Sequence, residues 1–186
     1  MSLCDLQNSQ LLLVDIQERL VSAMKPKVVR RMVDNSVFLL QSAGILGAPV
    51  IYSEQYPKGL GHTLSEITAQ IPESSGTLSK TCFSCTDSPD FDTVLDAGRD
   101  QVIIAGMESH VCILQTAMHL QQQGREVFVV ADACAARSKH NHNNAMQRLA
   151  QAGIMITNSE SVVFEWLRDT SHAGFKQISS LLKQRG

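Results

Sequence analysis

Short apolar runs alternate along the chain with longer stretches of helical periodicity. Residues 11–14 are apolar at every position, which is typical of a strand buried on both faces of a parallel sheet. Between residues 28 and 46, apolar side chains recur every three or four positions, which indicates an amphipathic helix. The full pattern predicts strands at 11–14, 49–53, 77–81, 102–106, 127–131 and 154–157, and helices at 28–46, 65–70, 110–123, 143–152, 159–167 and 173–183.

This alternation of strands with crossover helices predicts an α/β protein. Strands joined in this way form a mostly parallel sheet covered by helices on both faces. We therefore expect a three-layer αβα Rossmann-like fold with five to six strands. The chain contains no internal repeat, low-complexity segment or linker, so we expect one domain over residues 1–186.

Composition excludes several classes of function and favours one compartment. The 186 residues carry 16 Lys and Arg against 18 Asp and Glu, a net charge of −2, so no nucleic-acid partner is expected. No apolar run approaches the ~20 residues of a membrane span, and no secretory leader precedes the first strand, so we expect no membrane association. Five cysteines, an odd number, favour free thiols and a cytoplasmic protein.

In parallel α/β folds, ligands bind beyond the carboxyl ends of the strands, so the residues there are candidates for chemistry. Cys112 lies in the first turn of a predicted helix, where the helix dipole favours a thiolate and free backbone N–H groups can stabilise an oxyanion. Asp15 follows the first strand and can act as a general base, and Lys80 can hold both groups electrostatically. By position alone, a Cys in a helix is more often a small buried apolar residue than a nucleophile.

Three segments of the chain resemble the signature blocks of the isochorismatase-like cysteine hydrolases. They are Leu-Val-Asp-Ile-Gln at 13–17, Ser-Lys-Thr at 79–81 and Ala-Gly-Met-Glu-Ser-His-Val-Cys-Ile at 105–113. They occur in the family's order and at similar separations, within a resemblance that runs from about residue 10 to 183. The resemblance implies one hydrolase domain with Asp15, Lys80 and Cys112 as the catalytic triad.

The resemblance also implies a backbone arrangement and a reaction. A cis peptide bond is expected between Met107 and Glu108, and the backbone N–H groups of Glu108 and Cys112 are expected to form the oxyanion hole. Asp15 would deprotonate Cys112, whose thiolate would attack an amide-type carbon and release ammonia or an amine. Water activated by Asp15 would then hydrolyse the thioester. The substrate would be a small molecule, and the protein a homo-oligomer.

The segment after the second strand departs from the nicotinamidases of this superfamily, which bind a divalent metal there through one Asp and two His. Here it contains Glu54 and His62 with no second His, so we predict no metal ligand set and no cofactor. This segment resembles instead the isochorismatase-domain-containing proteins. We expect the substrate pocket to be formed by Gln17, Glu54, Tyr56, Phe83 and His110.

Two other classes of function remain open. Cys82 and Cys85 form a C-x-x-C pair, which predicts thiol redox chemistry if the two sulfurs approach each other. A non-catalytic interaction protein on the same fold is the third class, and a pocket filled by its own side chains would support it. Cys4 is expected on a loose terminus, and Cys134 in a tightly packed segment.

Overall fold

The computed structural model describes residues 2–185, in which six parallel strands form one sheet. The strands are β1 (Ser9–Val14), β2 (Val50–Gln55), β3 (Gly76–Lys80), β4 (Gln101–Met107), β5 (Glu126–Ala135) and β6 (Met155–Thr157). Their order across the sheet is β3-β2-β1-β4-β5-β6, and every neighbouring pair is parallel. The prediction of an α/β fold with a mostly parallel sheet is confirmed.

Helices connect the strands and cover the sheet. They are α1 (Glu18–Ser22), α2 (Pro26–Leu46), α3 (Pro57–Leu60), α4 (Ser65–Thr68), α5 (Phe91–Val94), α6 (Leu114–Gln122), α7 (Lys139–Gln151), α8 (Ser159–Leu167) and α9 (Phe175–Lys183). The helices α1, α3 and α5 were not predicted, because four or five residues are too short to show a helical period. The helix predicted at 110–123 is divided into a π-helical turn, Ser109–Ile113, and α6.

The two faces of the sheet bury separate apolar cores, as the alternation of side chains along a strand requires. Leu11 and Leu13 of β1 pack in one core with residues of α2, α8 and α9. Leu12 and Val14 face the opposite core, with residues of α5, α6 and α7. This arrangement gives the three layers, and it explains why the apolar run at β1 is continuous.

The chain order creates a switch point between β1 and β4. From β1 the chain adds β2 and β3 on one side, and then returns to the other side of β1 as β4. Crevices open at such points because the connections on either side leave in opposite directions. Asp15 and Glu108, which follow β1 and β4 directly, both lie at this point.

The N-terminal segment differs from the sequence-based expectation. Cys4 is fully buried, its N–H donates to the Glu165 carboxylate at 2.7 Å, and its carbonyl accepts from Arg168 at 3.0 Å. The terminus is therefore tied to α8 rather than loose. Within residues 2–185, no helix combines the length and the apolar character needed to cross a bilayer.

Candidate active site

A buried ion pair joins the ends of β1 and β3. The Lys80 ammonium donates to Asp15 Oδ2 at 2.7 Å, and both side chains are fully buried. Asp15 adopts the left-handed backbone conformation, with φ of 53°, directly after β1. Its other carboxylate oxygen, Oδ1, accepts a hydrogen bond from Ser53 Oγ at 2.7 Å. Both oxygens of the carboxylate are therefore held in fixed positions.

The Lys80 ammonium is surrounded by oxygen acceptors. Besides Asp15, it donates to Gln55 Oε1 at 2.8 Å and to the carbonyls of Cys82 and Phe83, both at 3.3 Å. Burial by itself lowers the Lys80 pKa, but the charge of Asp15 outweighs it, together with Cys85 and Cys112, so that the pKa is raised above its ordinary value. Lys80 is thus a permanent cation at the base of the site.

Cys112 lies on the π-helical turn that follows β4 and is only 6% exposed. The turn is closed by the Ile113 N–H, which donates to the Glu108 carbonyl at 3.3 Å. The peptide bond between Met107 and Glu108 is cis. The two residues predicted to form the oxyanion hole are thus the N-cap of this turn, Glu108, and its fourth residue, Cys112.

The thiol of Cys112 titrates in the opposite direction to the sequence-based expectation. Burial raises its pKa above the ordinary value, and the negative charge of Asp15 raises it further, while Lys80 acts in the other direction. The helix start, which the sequence predicts to favour the thiolate, does not set the direction of this pKa shift. Desolvation and the adjacent carboxylate exceed the effect of the helix dipole. The structure describes a neutral thiol beside an ion pair.

We expect a raised pKa to control the alkylation of Cys112. In the wild type, the rate of Cys112 labelling by iodoacetamide should continue to rise above pH 9, since the thiolate is the reactive form. In Asp15→Asn, the midpoint of this pH profile should move down by about one to three pH units, because one negative charge is removed while Lys80 remains. Peptide mapping by mass spectrometry separates Cys112 from the half-buried Cys82, which serves as the internal control. An unchanged midpoint would contradict the electrostatic coupling.

Gly106 brings β1 and β4 close together beside the site. Its φ is 120°, and a Cβ at this position would lie 2.1 Å from the Val14 carbonyl oxygen. Val14 immediately precedes Asp15, and Gly106 lies six residues before Cys112. The absence of a side chain at this one position therefore allows the two catalytic candidates to approach each other.

A cleft of 420 Å³ opens at the end of β3 and includes Tyr56, Lys80 and Cys82 in its lining. Tyr56 and Phe83 are both 55% exposed. The predicted wall Tyr56 lies on this cleft. Phe83, an exposed neighbour whose carbonyl binds Lys80, does not line it.

Gln17 and Glu54 shape the loop beside the cleft and do not line it. Gln17 is fully buried, and its amide binds the main chain of Gln55 in both directions and the carbonyl of Gly61 at 2.7 Å. Glu54 Oε1 accepts from the N–H and the hydroxyl of Thr63, at 2.7 and 2.9 Å. Burial favours the neutral form of Glu54, but these bonds outweigh it and the pKa is lowered. Both residues are therefore positioning residues for this loop.

His110, the remaining predicted pocket residue, faces α7. Its Nε2 lies 3.2 Å from the Asn141 amide nitrogen, and its Nδ1 is buried without a hydrogen-bond partner among residues 2–185. The preceding residue, Ser109, donates to the Ala135 carbonyl at 2.9 Å. The Ser109 hydroxyl thus accepts from His142 Nδ1 at 2.9 Å, which fixes the proton on that nitrogen. His142 thus anchors the π-helical turn that contains Cys112.

The sequence did not predict three contacts of the site: that of Ser53 with Asp15, that of Gln55 with Lys80, and that of Cys85 with Ser53. The thiol of Cys85 donates to Ser53 Oγ at 3.7 Å, and burial raises its pKa to about 11. Ser53 and Gln55 lie at the end of β2. Their one signal in the sequence was the rule that ligands bind beyond the carboxyl ends of parallel strands. The C-x-x-C motif singled out Cys85 for redox chemistry only, because its contact with Ser53 depends on the 3₁₀ turn Cys85–Asp87.

The residues of the two alternative sites, the C-x-x-C pair and the possible metal ligands after β2, have other contacts in the structure. Cys82 and Cys85 are both free, and Cys85 is directed at Ser53, inside the core. Glu54 Oε2 lies 3.3 Å from His62 Nδ1, and among residues 2–185 no group of three or more His, Cys, Asp or Glu side chains is placed to hold a metal ion. The donor set on the loop after β2 therefore does not fit a metal centre of the nicotinamidase type.

Comparison with known proteins agrees with the fold. The isochorismatase domain matches residues 9–161. Isochorismatase domain-containing protein 1 of Danio rerio is 42% identical over 171 residues, which cover 91% of this chain and 59% of that protein. The chain thus spans less than two thirds of this relative.

Two solved structures superpose over nearly the whole chain. The MAR1 ribonuclease of Caenorhabditis elegans is 35% identical, with a TM-score of 0.91 over 98% of this chain and 93% of that one. The YcaC gene product of Escherichia coli, an octameric hydrolase of unknown specificity, is 25% identical, with a TM-score of 0.85 over 100% and 97% of the two chains. By domain, sequence identity and fold, the chain belongs to the isochorismatase-like hydrolase family.

Proposed function

We propose that this protein is a cysteine hydrolase that cleaves the C–N bond of a small amide through a thioester on Cys112. The observation that carries the proposal is the buried Asp15–Lys80 pair, whose two charges both act on the Cys112 thiol. A neutral thiol beside a fixed carboxylate is arranged for proton transfer during attack rather than before it. We propose this role for the one domain formed by residues 1–186.

In the first half of the reaction, Cys112 Sγ attacks the amide carbon while its proton passes to the Asp15 carboxylate. Lys80 stays charged and holds Asp15 in position through the 2.7 Å contact. The oxyanion binds the backbone N–H groups of Glu108 and Cys112. When the C–N bond breaks, the nitrogen takes the proton from Asp15 and leaves as ammonia or an amine.

In the second half, a water molecule replaces the leaving group. Asp15 accepts a proton from this water, and the hydroxide attacks the thioester carbon. The C–S bond then breaks, the carboxylic acid leaves, and the proton on Asp15 returns to Cys112 Sγ. Asp15 thus serves twice as base and twice as acid. This is why both of its oxygens must be held, one by Ser53 and one by Lys80.

An ammonia-release screen over small primary amides tests the proposal. The wild type should release ammonia from at least one amide, and Cys112→Ala should reduce the release to the level of buffer alone. A paired Cys4→Ala variant, which changes a buried thiol that does not line this cleft, should retain the wild-type rate. Equal release by wild type and Cys112→Ala would overturn the role of Cys112.

The similar C. elegans protein is named a ribonuclease, so RNA cleavage is the competing reaction to test. RNA is included among the substrates, and cleavage products are measured for the wild type and for Cys112→Ala. RNA cleavage that depends on Cys112, with no amide turned over, would replace the amide proposal. If neither substrate class is turned over, the interaction-protein alternative gains support.

We also propose that the protein is a homo-oligomer in the cytoplasm. The octameric E. coli neighbour supports self-association, and the five free thiols favour a reducing compartment. Sedimentation velocity of the full chain should give a mass that is a multiple of 20.4 kDa. A monomer at micromolar concentration would contradict the proposed assembly.

A further inference from the structure

A second cleft lies between α2 and the C-terminal end of α9. It is larger than the cleft at Lys80, and the two clefts share no lining residue. Its volume is 580 Å³, within the range of pockets that bind small molecules. Four of its lining side chains are cationic and one is a carboxylate. The charged lining consists of Lys27, Arg30, Arg31, Asp34 and Arg185.

Only one of the four cations is neutralised by direct contact. Arg30 donates to Asp34 at 2.8 Å, and both side chains are exposed at the surface. Among residues 2–185, Lys27, Arg31 and Arg185 have no carboxylate within the 4.0 Å of an ion pair. Within these residues, the cleft therefore presents three cations without a carboxylate at ion-pair distance, and the charges of Asp132, Asp34 and Glu160 act on Arg185 from farther away.

Arg185 is an exposed residue whose guanidinium is held by two contacts. It stacks on the Phe38 ring at 4.2 Å from the centroid, and it donates to Asn35 Oδ1. Asn35 is buried, at 8% exposure, and its own amide donates to the Asp132 carbonyl at 2.8 Å. A buried amide that is itself anchored to β5 thus orients a cation toward the cleft.

Arg31 is anchored to the same strand. One of its terminal nitrogens donates to the Cys134 carbonyl at 3.0 Å, which leaves other N–H groups of the guanidinium available. The nearby Asp132 carboxylate does not compensate these charges by contact, because its oxygens accept from the Ser159 N–H and hydroxyl, both at 2.8 Å. The hydrogen-bond acceptors that hold the two guanidinium groups are therefore neutral oxygens.

Fixed guanidinium groups bind planar or tetrahedral oxyanions through paired N–H donors, and a phosphate group carries enough charge and acceptors to engage several cations at once. We propose that this cleft is a binding site for a small molecule that carries a phosphate group. Arg31, Arg185 and Lys27 bind its oxygens, and Asn35 and Phe38 hold Arg185 in position. The site is independent of the reaction at Cys112.

Calorimetric titration of the full chain with inorganic phosphate and pyrophosphate, at ionic strength held constant with NaCl, tests this site. Both anions should bind, and pyrophosphate should bind more tightly. Arg31→Gln and Arg185→Gln should each weaken pyrophosphate binding about tenfold or more, the loss expected for a charge-assisted hydrogen bond. Lys27→Gln, at an exposed position where folding is not at risk, should weaken it severalfold.

Arg148→Gln is the matched control, because Arg148 is an exposed cation on α7 and does not line the cleft. Its affinity for pyrophosphate should stay within twofold of the wild type. The proposal is overturned if neither anion binds beyond the NaCl control, or if Arg148→Gln weakens binding as much as the cleft variants do. Binding that none of the three cleft variants changes would place the anion elsewhere and would equally reject the site.

Discussion

Lys80→Met is expected to destabilise the folded protein by about 3–5 kcal/mol, the loss typical of removing one partner of a buried ion pair. The Asp15 carboxylate is fully buried, and Lys80→Met would remove the cation that contacts it at 2.7 Å. The Lys80 ammonium also binds Gln55 and two main-chain carbonyls, so its removal leaves several acceptors unpaired. Urea unfolding followed by circular dichroism measures the change.

The double variant Asp15→Asn/Lys80→Met separates charge from packing. Because it removes both charges, it should be less destabilised than the sum of the two single variants, and a double-mutant cycle gives the coupling energy. Hydrolysis should be lost in all three variants, since each removes the base or its support. A loss of stability below about 1 kcal/mol in Lys80→Met would be typical of an exposed pair and would contradict the buried one.

Gly106→Ala is expected to destabilise the protein by about 3–5 kcal/mol, through backbone strain together with overpacking. The φ of 120° is strained for any residue with a side chain, and the added Cβ would lie 2.1 Å from the Val14 carbonyl oxygen and 2.8 Å from its nitrogen. Relief of this clash would push β1 away from β4. Cys112 and Asp15 would then separate, so hydrolysis should fall even in the fraction of protein that stays folded.

Gly44→Ala provides the control for Gly106→Ala. Gly44 lies in α2, and the Cβ of an alanine at this position would have no neighbouring atom within 4 Å. Alanine there should stabilise the protein by up to about 1 kcal/mol, because it favours the helix over the unfolded chain. The same chemical change should therefore have opposite effects at the two positions. A loss below about 1 kcal/mol in Gly106→Ala would show that β1 and β4 can move apart without strain.

The order and type of the main elements were predictable because they depend on local patterns. The continuous apolar run of β1 reflects burial on two faces, and the helical spacing of α2 ends where Gly47 adopts a positive φ of 77°. The short helices α1, α3 and α5 were missed, since four or five residues have no readable period. Cys4 was misplaced because the contacts of its backbone with Glu165 and Arg168 are more than 160 residues away in sequence.

The sequence by itself determined the fold class, the family and the identity of Asp15, Lys80 and Cys112 as candidates, because these follow from patterns that neighbouring residues carry. Only the tertiary structure decided the state of the Cys112 thiol. Its pKa depends on burial and on a carboxylate 97 positions earlier in the chain, which oppose the local effect of the helix start. The tertiary structure alone also brought together the cations of α2 and Arg185. Electrostatics and desolvation act through space, and the order of residues does not contain those distances.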